Sequence, residues 1–354
     1  MPVEAKPWLM DRVADAYAEA GVNISAGNAA VSLYKQLTGG WKHPDQIGEL
    51  GAFNGLFRLP GDPEQALVAS TDGVGTKILI AALLRRYDSV GADLVNHCVN
   101  DILVANAMPL FFLDYVAVGK LVPEMAAEIV AGVHRACREN ETALLGGETA
   151  EMPGLYKPGE FDLAGTIVGI VRLADLPQIN RVAPGDAIIA LPAIGLHTNG
   201  YSLARRLVPE DEWGAALPDG DGVNFGDALL APHPSYLRTV KAIREVAQIK
   251  AMSHITGGGL LENVPRTLPA SCKAIFEQTR WKVPPLMREL VRRGDLSHEE
   301  RYRTFNMGIG YTLIVSLSEA PKALAVAPGG FVAGWIEARG EDDSAVVVHP
   351  ARER

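Results

Sequence analysis

The sequence is poor in cysteine, with only Cys98, Cys137 and Cys272 among its 354 residues. Three widely spaced cysteines fit neither a disulfide framework nor a zinc site built on paired cysteines. The first residues also lack the basic segment and the apolar run of a secretory signal peptide. These absences predict a protein of the reducing cytoplasm.

Positive charge is also scarce, because 33 lysines and arginines stand against 42 aspartates and glutamates, for a formal net charge of −9. A general nucleic-acid binder needs a concentrated basic face, so this balance argues against that class. The longest mostly apolar stretch, residues 102–113, is too short to span a bilayer. We therefore expect neither nucleic acid nor a membrane among the partners.

Two common nucleotide-binding motifs are missing as well. The chain contains neither the P-loop pattern G-x-x-x-x-G-K-[ST] nor the dinucleotide fingerprint G-x-G-x-x-G. Their absence excludes a P-loop NTPase and weakens the case for a Rossmann dehydrogenase.

What the chain does contain is a regular succession of strand and helix patterns. In the first half, the expected strands are 66–71, 110–118, 143–146 and 162–172, and the expected helices are 8–20, 88–107 and 123–140. The Gly- and Asn-rich stretch 22–62 is expected to hold only one short helix near 29–37. In the second half, the expected strands are 187–191, 274–277, 310–316, 331–337 and 344–349, and the expected helices are 201–207, 235–246, 285–293 and 319–326.

These elements predict an α/β (α+β) fold with two domains, each a mixed β-sheet layered with helices. The length agrees, since a domain usually has about 100–200 residues. Residues 1–62 would form an N-terminal helix and a Gly/Asn-rich segment of the first domain. Residues 63–172 would form an α/β domain, and residues 173–354 a C-terminal α/β domain.

Glycine is in excess, with 36 residues, and one glycine-rich turn directly follows the strand 66–71. This turn, residues 71–77, reads Thr-Asp-Gly-Val-Gly-Thr-Lys. Gly73 and Gly75 allow a ligand to approach the backbone closely, Lys77 and the backbone amides suit phosphate, and Asp72 suits a metal ion. An ordinary Asp-Gly turn is the alternative.

The helix 88–107 carries three titratable residues at intervals of four: Asp93, His97 and Asp101. They share a face opposite the apolar stripe of this helix. That face is either solvated or holds carboxylates aimed at a metal ion on Asp72.

Two further carboxylates lie at predicted strands. Asp114 interrupts an apolar strand, where a carboxylate is costly unless it is paired or binds a metal, although an edge or capping position is an alternative. Glu148 follows Gly146 and Gly147 at the end of a strand. Ligands of α/β folds gather at the carboxyl ends of strands, so we expect these residues near Asp72.

Two turns in the second half also suit an anion. Residues 195–200 (Gly-Leu-His-Thr-Asn-Gly) precede a helix, whose first amides favour phosphate, and His197 could act as an acid or base. The alternative is an N-capping loop with Asn199 as the cap. Residues 256–259 (Thr-Gly-Gly-Gly) either contact a ligand through their backbone or form a flexible linker.

Taken together, these segments resemble the phosphoribosylformylglycinamidine cyclo-ligase (aminoimidazole ribonucleotide synthetase) family. The resemblance runs in order from about residue 15 to residue 315, and the ten residues 145–154 (LGGETAEMPG) are its most specific part. The matching stretches are 17–22, 26–28, 71–77, 98–101, 109–115, 145–154, 197–203, 254–259 and 302–310.

The resemblance implies an ATP-dependent ligase of purine biosynthesis that converts formylglycinamidine ribonucleotide to aminoimidazole ribonucleotide, ADP and phosphate. The formyl oxygen would attack the γ-phosphate of ATP, the amidine nitrogen would close the ring, and phosphate would leave. Mg²⁺ would neutralise the phosphates. The resemblance also implies a homodimer in which the first-domain sheets form a shared barrel.

Site roles follow from the matching motifs. Mg²⁺ would be held by Asp72, Asp101 and Glu148. ATP would bind to these three and to Asn28, Lys35, Thr71, Gly73, Gly75, Thr76, Lys77, Asn100 and Asp114, with Asn28 and Lys35 in a lid. The ribonucleotide would bind to His197, Thr198, Asn199, Gly200, Thr256, Gly257, Gly258 and Gly259. The catalytic residues would be Lys77 and His197, the latter moving protons.

Other readings stay open within the superfamily that the resemblance defines: thiamine-monophosphate kinase, selenophosphate synthetase and the amidotransferase-coupled synthetase of the preceding step. Selenophosphate synthetase would need a reactive N-terminal cysteine or its equivalent, whereas the first cysteine here is Cys98. A non-catalytic maturation partner with the same fold is an alternative from another class.

Overall fold

The computed structural model describes residues 15–351. Most of the helix predicted at 8–20 lies outside the described residues, and its final part is α1 (Asp15–Glu19). Among the described residues, no helix is both long and apolar enough to cross a membrane. The fold consists of two six-stranded mixed sheets, each layered with helices, which confirms the predicted fold class.

The first sheet and its helices occupy the first half of the chain. Its strands are β1 (Gln46–Ile47), β2 (Gly55–Leu59), β3 (Asp62–Gly73), β4 (Met108–Val118), β5 (Ala143–Glu151) and β6 (Phe161–Arg172), and its helices after α1 are α2 (Ile24–Thr38), α3 (Lys77–Leu84), α4 (Asp88–Leu103) and α5 (Pro123–Glu139). The strand order is β1-β2-β3-β6-β4-β5. Both β3 and β4 run antiparallel to β6, and β5 runs parallel to β4, so β3, β4 and β5 share one direction.

The second sheet follows. Its strands are β7 (Ala187–Pro192), β8 (Ala251–His254), β9 (Cys272–Glu277), β10 (Ile309–Val315), β11 (Phe331–Ala338) and β12 (Val346–His349), and its helices are α6 (Tyr201–Leu207), α7 (Phe225–Leu229), α8 (Leu237–Arg244), α9 (Gly259–Asn263), α10 (Pro285–Gly294), α11 (His298–Thr304) and α12 (Ala320–Ala325). The order is β12-β9-β11-β7-β10-β8, and only the pair β9–β12 is parallel.

The prediction for residues 22–62 was wrong in part. The helix there, α2, has 15 residues and starts with Asn23, whose side chain accepts a hydrogen bond from the Ala26 amide. None of its residues is buried, and its apolar residues Leu33, Tyr34 and Leu37 are exposed, so this helix does not pack into the core. Strands β1 and β2 were also missed, and they extend the first sheet. The domain boundary at 172/173 stays a prediction.

Helices α4 and α5 pack closely over one face of the first sheet, and two glycines set their separation. A Cβ atom on Gly91 would lie 2.1 Å from the Ile129 carbonyl oxygen, and one on Gly132 would lie 2.0 Å from the Asp88 carbonyl oxygen. Backbone therefore touches backbone at this crossing, which fixes α4 and the side chains it carries.

This contact yields a prediction on stability. Gly91→Ala should lower the free energy of unfolding by about 1–3 kcal/mol, because the helices must move apart to admit a methyl group. Gly27→Ala is the matched control, since a Cβ there meets no atom within 4 Å. Thermal melts of both variants test the prediction, and equal melting temperatures would contradict it.

Candidate active site

A cleft of about 480 Å³ lies between the two halves of the chain. The first half contributes the turn after β3, with Asp72, and the second half contributes the loop before α6. The site residues that were predicted from the sequence and that line this cleft are Asp72, Gly73, Gly75, Thr76, Thr198, Asn199, Gly200 and Thr256. The two loops touch, because a Cβ on Gly75 would lie 3.4 Å from the Thr198 carbonyl oxygen.

The turn after β3 directs Asp72 into this cleft. Oδ1 of Asp72 accepts a hydrogen bond of 2.7 Å from the Gly73 amide, and Gly75 has a φ of +63°, which favours glycine. Thr71 instead lies on the opposite face of β3, where its hydroxyl contacts that of Thr166 at 2.8 Å. The strand alternation thus separates Thr71 from the cleft.

Asp72, His97 and Asp101 form a compact cluster in which one ligand atom from each lies within 4.8 Å of the others. His97 Nε2 is 2.6 Å from Asp72 Oδ2 and 3.9 Å from Asp101 Oδ2. Burial alone would lower the pKa of His97, but the neighbouring carboxylates raise it to about 9. Burial would likewise raise the pKa of Asp72, yet the His97 charge lowers it overall. With no metal bound, His97 is therefore the cation beside these carboxylates.

Four buried histidines lie side by side at this position. The His197 and His233 rings stack at 4.1 Å, and the centroids of His97 and His254 are 4.9 Å apart. Burial lowers the pKa of His197, His233 and His254, so those three rings are neutral. Sequence reasoning did not single out His233 or His254 as site residues, although His254 lies in a motif that carried the resemblance.

His197 is placed differently from its predicted role. Its side chain is completely buried, and neither ring nitrogen has a hydrogen-bond partner. The ring packs against His233 instead of lining the cleft, whereas His97 does reach the cleft wall. This geometry does not support His197 as the group that exchanges protons with a substrate.

Lys77 is also placed differently from its predicted role. Its ammonium is completely buried, 2.5 Å from Asp93 Oδ2 and 2.7 Å from the Ala231 carbonyl oxygen. Burial lowers the pKa of Lys77, while the Asp93 charge opposes that shift. The side chain therefore joins α3, α4 and the second half of the chain, and it does not line the cleft.

Asn100 binds the second half of the chain through both the oxygen and the nitrogen of its side-chain amide. Its Oδ1 accepts a hydrogen bond from the Tyr236 amide at 2.9 Å, and its Nδ2 donates to the Pro234 carbonyl at 2.9 Å. The structure thus gives Asn100 a role in joining the two halves.

The structure separates Asp114 and Glu148 from the cluster around Asp72. Asp114 is in register with Asp72 but two strands away, and its carboxylate occupies the space that a Cβ on Gly147 would fill. Glu148 pairs with Tyr115 on the opposite, exposed face, because β5 continues to Glu151 beyond its predicted end. Their expected contact with one metal ion is not supported.

The turn 256–259 is rigid, because Asn263 Nδ2 donates to the carbonyls of Thr256, Gly257 and Gly259. Gly258 has a φ of +92°, and a Cβ on Gly259 would lie 2.0 Å from the Tyr302 carbonyl oxygen. The flexible-linker alternative does not fit this backbone.

Of the two residues predicted for a lid, one reaches this part of the molecule. Asn28 on α2 donates to Glu262 Oε2 at 3.1 Å, and Glu262 also binds Arg303 at 2.7 Å. Lys35, two turns further along α2, lines a separate cleft together with Trp41.

Comparisons with known proteins place the chain in a family. The model of the AIR synthase related protein N-terminal domain matches residues 52–171, and that of the C-terminal domain matches residues 183–346. The chain belongs to the AIR synthase related family.

Two relatives of this AIR synthase family protein are both named phosphoribosylformylglycinamidine cyclo-ligase. The relative from Desulfitobacterium hafniense is 48% identical over 301 residues, which cover 84% of this chain and 88% of that one. The relative from Syntrophotalea carbinolica is 43% identical over 348 residues, covering 96% and 99%.

Solved structures share the fold. A structure titled AaThiL complexed with AMPPCP and TMP has a TM-score of 0.62 at 16% identity, covering 90% of this chain and 92% of that one. The hydrogenase maturation protein HypE in complex with ATP has a TM-score of 0.57 at 23% identity, covering 80% and 81%.

The buried Lys77 gives a second prediction. Lys77→Met should lower the free energy of unfolding by about 3–5 kcal/mol, because it leaves Asp93 buried without its partner. Adding Asp93→Asn, which removes the stranded charge and keeps an oxygen for the His233 amide, should restore part of the loss. Urea denaturation measures both effects. A stable Lys77→Met protein that has lost only nucleotide binding would instead support a phosphate role.

Proposed function

We propose that this protein catalyses the ATP-dependent ring closure of formylglycinamidine ribonucleotide to aminoimidazole ribonucleotide, with ADP and phosphate as the other products. The relatives with that activity in their name align along most of the chain. The observation that carries the proposal is that the Asp72 turn and the loop 198–200 face each other across one cleft. That arrangement suits two phosphate-bearing ligands, one on each wall.

The wall from the first half would bind ATP. The turn 72–76 supplies a carboxylate and backbone amides with glycine at the points of closest approach. Solved structures with this fold include a complex with ATP and a complex with AMPPCP, which supports nucleotide binding at the fold level.

Asp72 and Asp101 fit a Mg²⁺ ion, because their carboxylate oxygens are the ligands that this ion prefers. The Asp72 side chain is 42% exposed toward the cleft, and that of Asp101 is 8% exposed behind it. Without a metal ion, His97 supplies the positive charge beside these oxygens. A Mg²⁺ ion would therefore bind where positive charge is already stabilised. When bound, Mg²⁺ would neutralise the phosphates of ATP.

The loops of the second half would position the ribonucleotide. Thr198, Asn199 and Gly200 precede α6, and Thr256 borders the cleft from the rigid turn 256–259. Holding both reactants in one place makes the reaction effectively intramolecular, and a closed site limits loss of the activated intermediate to water. We propose that α2 completes this closure as a lid through the contact of Asn28 with Glu262.

The partner that we propose is a second copy of the chain. The face of the first sheet opposite α4 and α5 exposes Leu113 and Tyr115, and Leu145 on the neighbouring edge strand is 64% exposed. Large apolar side chains exposed on one sheet face favour an interface, and Glu148 beside Tyr115 would lie within it. The reducing cytoplasm fits the three cysteines, which are all unpaired and buried.

The assay that tests the function uses purified protein with ATP, Mg²⁺ and formylglycinamidine ribonucleotide. We expect one ADP and one phosphate for each imidazole product. Asp72→Asn should lower kcat at least about 100-fold, because removal of one group that stabilises charge on a transferring phosphoryl group typically lowers the rate by that factor. Asp175→Asn, at a surface ion pair with Arg172, is the control for the substitution itself.

Phosphate release that does not require the ribonucleotide would contradict the proposal, as would the absence of any release. Phosphorylation of thiamine monophosphate would favour the kinase alternative. An Asp72→Asn protein with nearly full activity would refute the metal-binding role of this residue.

The homodimer has its own test. Leu113→Lys should shift the protein from dimer to monomer, because a charge would be buried against the partner sheet. Light scattering coupled to gel filtration measures the mass. Leu317→Lys serves as the control, since Leu317 is an exposed leucine of the second half, 65% exposed against 38% for Leu113. A monomeric unmodified protein, or an unchanged dimer in Leu113→Lys, would refute this interface.

A further inference from the structure

Three buried histidines from separate elements meet behind the cleft. His97 belongs to α4, His233 precedes α8, and His254 ends β8. One ring nitrogen of each lies within 4.8 Å of those of the other two, and each residue is at most 3% exposed. Neither the ATP site nor the ribonucleotide loops give a role to His233 or His254.

The outer ring nitrogens of two of these histidines are held by groups typical of a metal site. His254 Nδ1 lies 2.8 Å from Asp101 Oδ1, and an ionised carboxylate only accepts, so the His254 proton is on Nδ1. His97 Nδ1 lies 2.6 Å from Thr198 Oγ1. Metal-binding histidines usually donate their second nitrogen to such a partner, which leaves Nε2 free for the ion.

The third histidine also turns its Nε2 atom inward. The Asn100 amide is oriented by the Tyr236 amide and the Pro234 carbonyl, so its Nδ2 donor faces His233 Nε2 at 3.2 Å. His233 Nε2 therefore lies between the Asn100 amide and His254 Nε2.

The two inward nitrogens lie within hydrogen-bond distance of each other. His233 Nε2 and His254 Nε2 are 3.0 Å apart, and without a metal ion a proton on one of them joins the pair. His233 Nδ1 is buried without a partner and can take that proton, which leaves both Nε2 atoms free for a cation. Two nitrogens bound tetrahedrally at the usual zinc distance are about 3.4 Å apart, so a small adjustment admits an ion.

The third nitrogen faces Asp72. His97 Nε2 is buried and lies 2.6 Å from Asp72 Oδ2. Asp72 therefore borders the position that a fourth ligand would take. A bound divalent ion would replace the His97 proton as the positive charge at this point.

We propose that His97, His233 and His254 bind one divalent first-row transition-metal ion such as Zn²⁺. Imidazole nitrogen favours these ions, whereas Mg²⁺ takes oxygen ligands. Since His97 lies in the first half of the chain and the other two lie in the second, the ion ties the two walls of the cleft together.

The test uses the full-length protein freed of metal by dialysis against a chelator, with Co²⁺ as the spectroscopic probe. We expect one equivalent of Co²⁺ to give visible d–d absorption, Zn²⁺ to displace it and to raise the melting temperature, and millimolar Mg²⁺ to leave it bound. His233→Gln and His254→Gln should each weaken binding at least about 100-fold, beyond the usual effect of a lost outer partner.

His134→Gln is the matched control, because His134 is exposed on α5. Circular dichroism of the metal-free variants shows whether each one is folded. Because the two histidines are substituted separately, the test still holds if one variant does not fold. The proposal is overturned if Co²⁺ does not bind, if Mg²⁺ displaces it, or if both folded histidine variants bind like the unmodified protein. The readout is metal binding, so it stands whether or not the ligase activity is found.

Discussion

The burial of a polar helix face against the second half of the chain is the constraint on which the site depends. Helix α4 presents Asp93, Asn96, His97, Asn100 and Asp101 to that boundary, and all of them are buried. Each one contacts a group from the second half. A buried polar group without a partner costs about 1–3 kcal/mol, so a displaced boundary would lose several hydrogen bonds together. The two walls of the cleft are thereby held in one relative position.

The same helix shows why sequence reasoning reached only part of the site. Its apolar stripe correctly predicted a helix, and the strand that leads to Asp72 was equally clear. The polar face was open to two interpretations, because amphipathic spacing cannot show whether water or another domain covers a face. Only the tertiary contact with residues far along the chain, such as His233, decides between them.

The structure places Lys77 and Glu148 away from their predicted positions for different physical reasons. Lys77 follows a glycine turn, where a cation suits phosphate, but its partner Asp93 lies on the next helix, and no local pattern reveals that pairing. Glu148 was placed at a strand end, whereas β5 runs on to Glu151. Since side chains alternate between faces along a strand, the extension puts Glu148 on the outer surface. Motif spacing located turns that line the cleft but could not determine where each side chain points or which residue it pairs with.

The many glycines of the chain serve more than one structural role. Gly75 and Gly258 have positive φ at the cleft turns, where a ligand-facing backbone is expected. Gly91 and Gly147 instead make room for protein atoms, the first for a neighbouring helix and the second for the Asp114 carboxylate. Composition alone merges these uses, because both follow from the absence of Cβ.

Two kinds of cation ligand, carboxylate oxygens and imidazole nitrogens, lie close together where the two halves of the chain meet. Oxygen donors face the cleft at Asp72, where a hard ion that accompanies phosphate would bind. Nitrogen donors lie behind them, on His233 and His254, where burial keeps the rings neutral and available for a softer ion. His97 stands between the two sets, and its proton now balances Asp72. An acidic chain can thus receive a polyanion, because its carboxylates lie beside positions that hold positive charge.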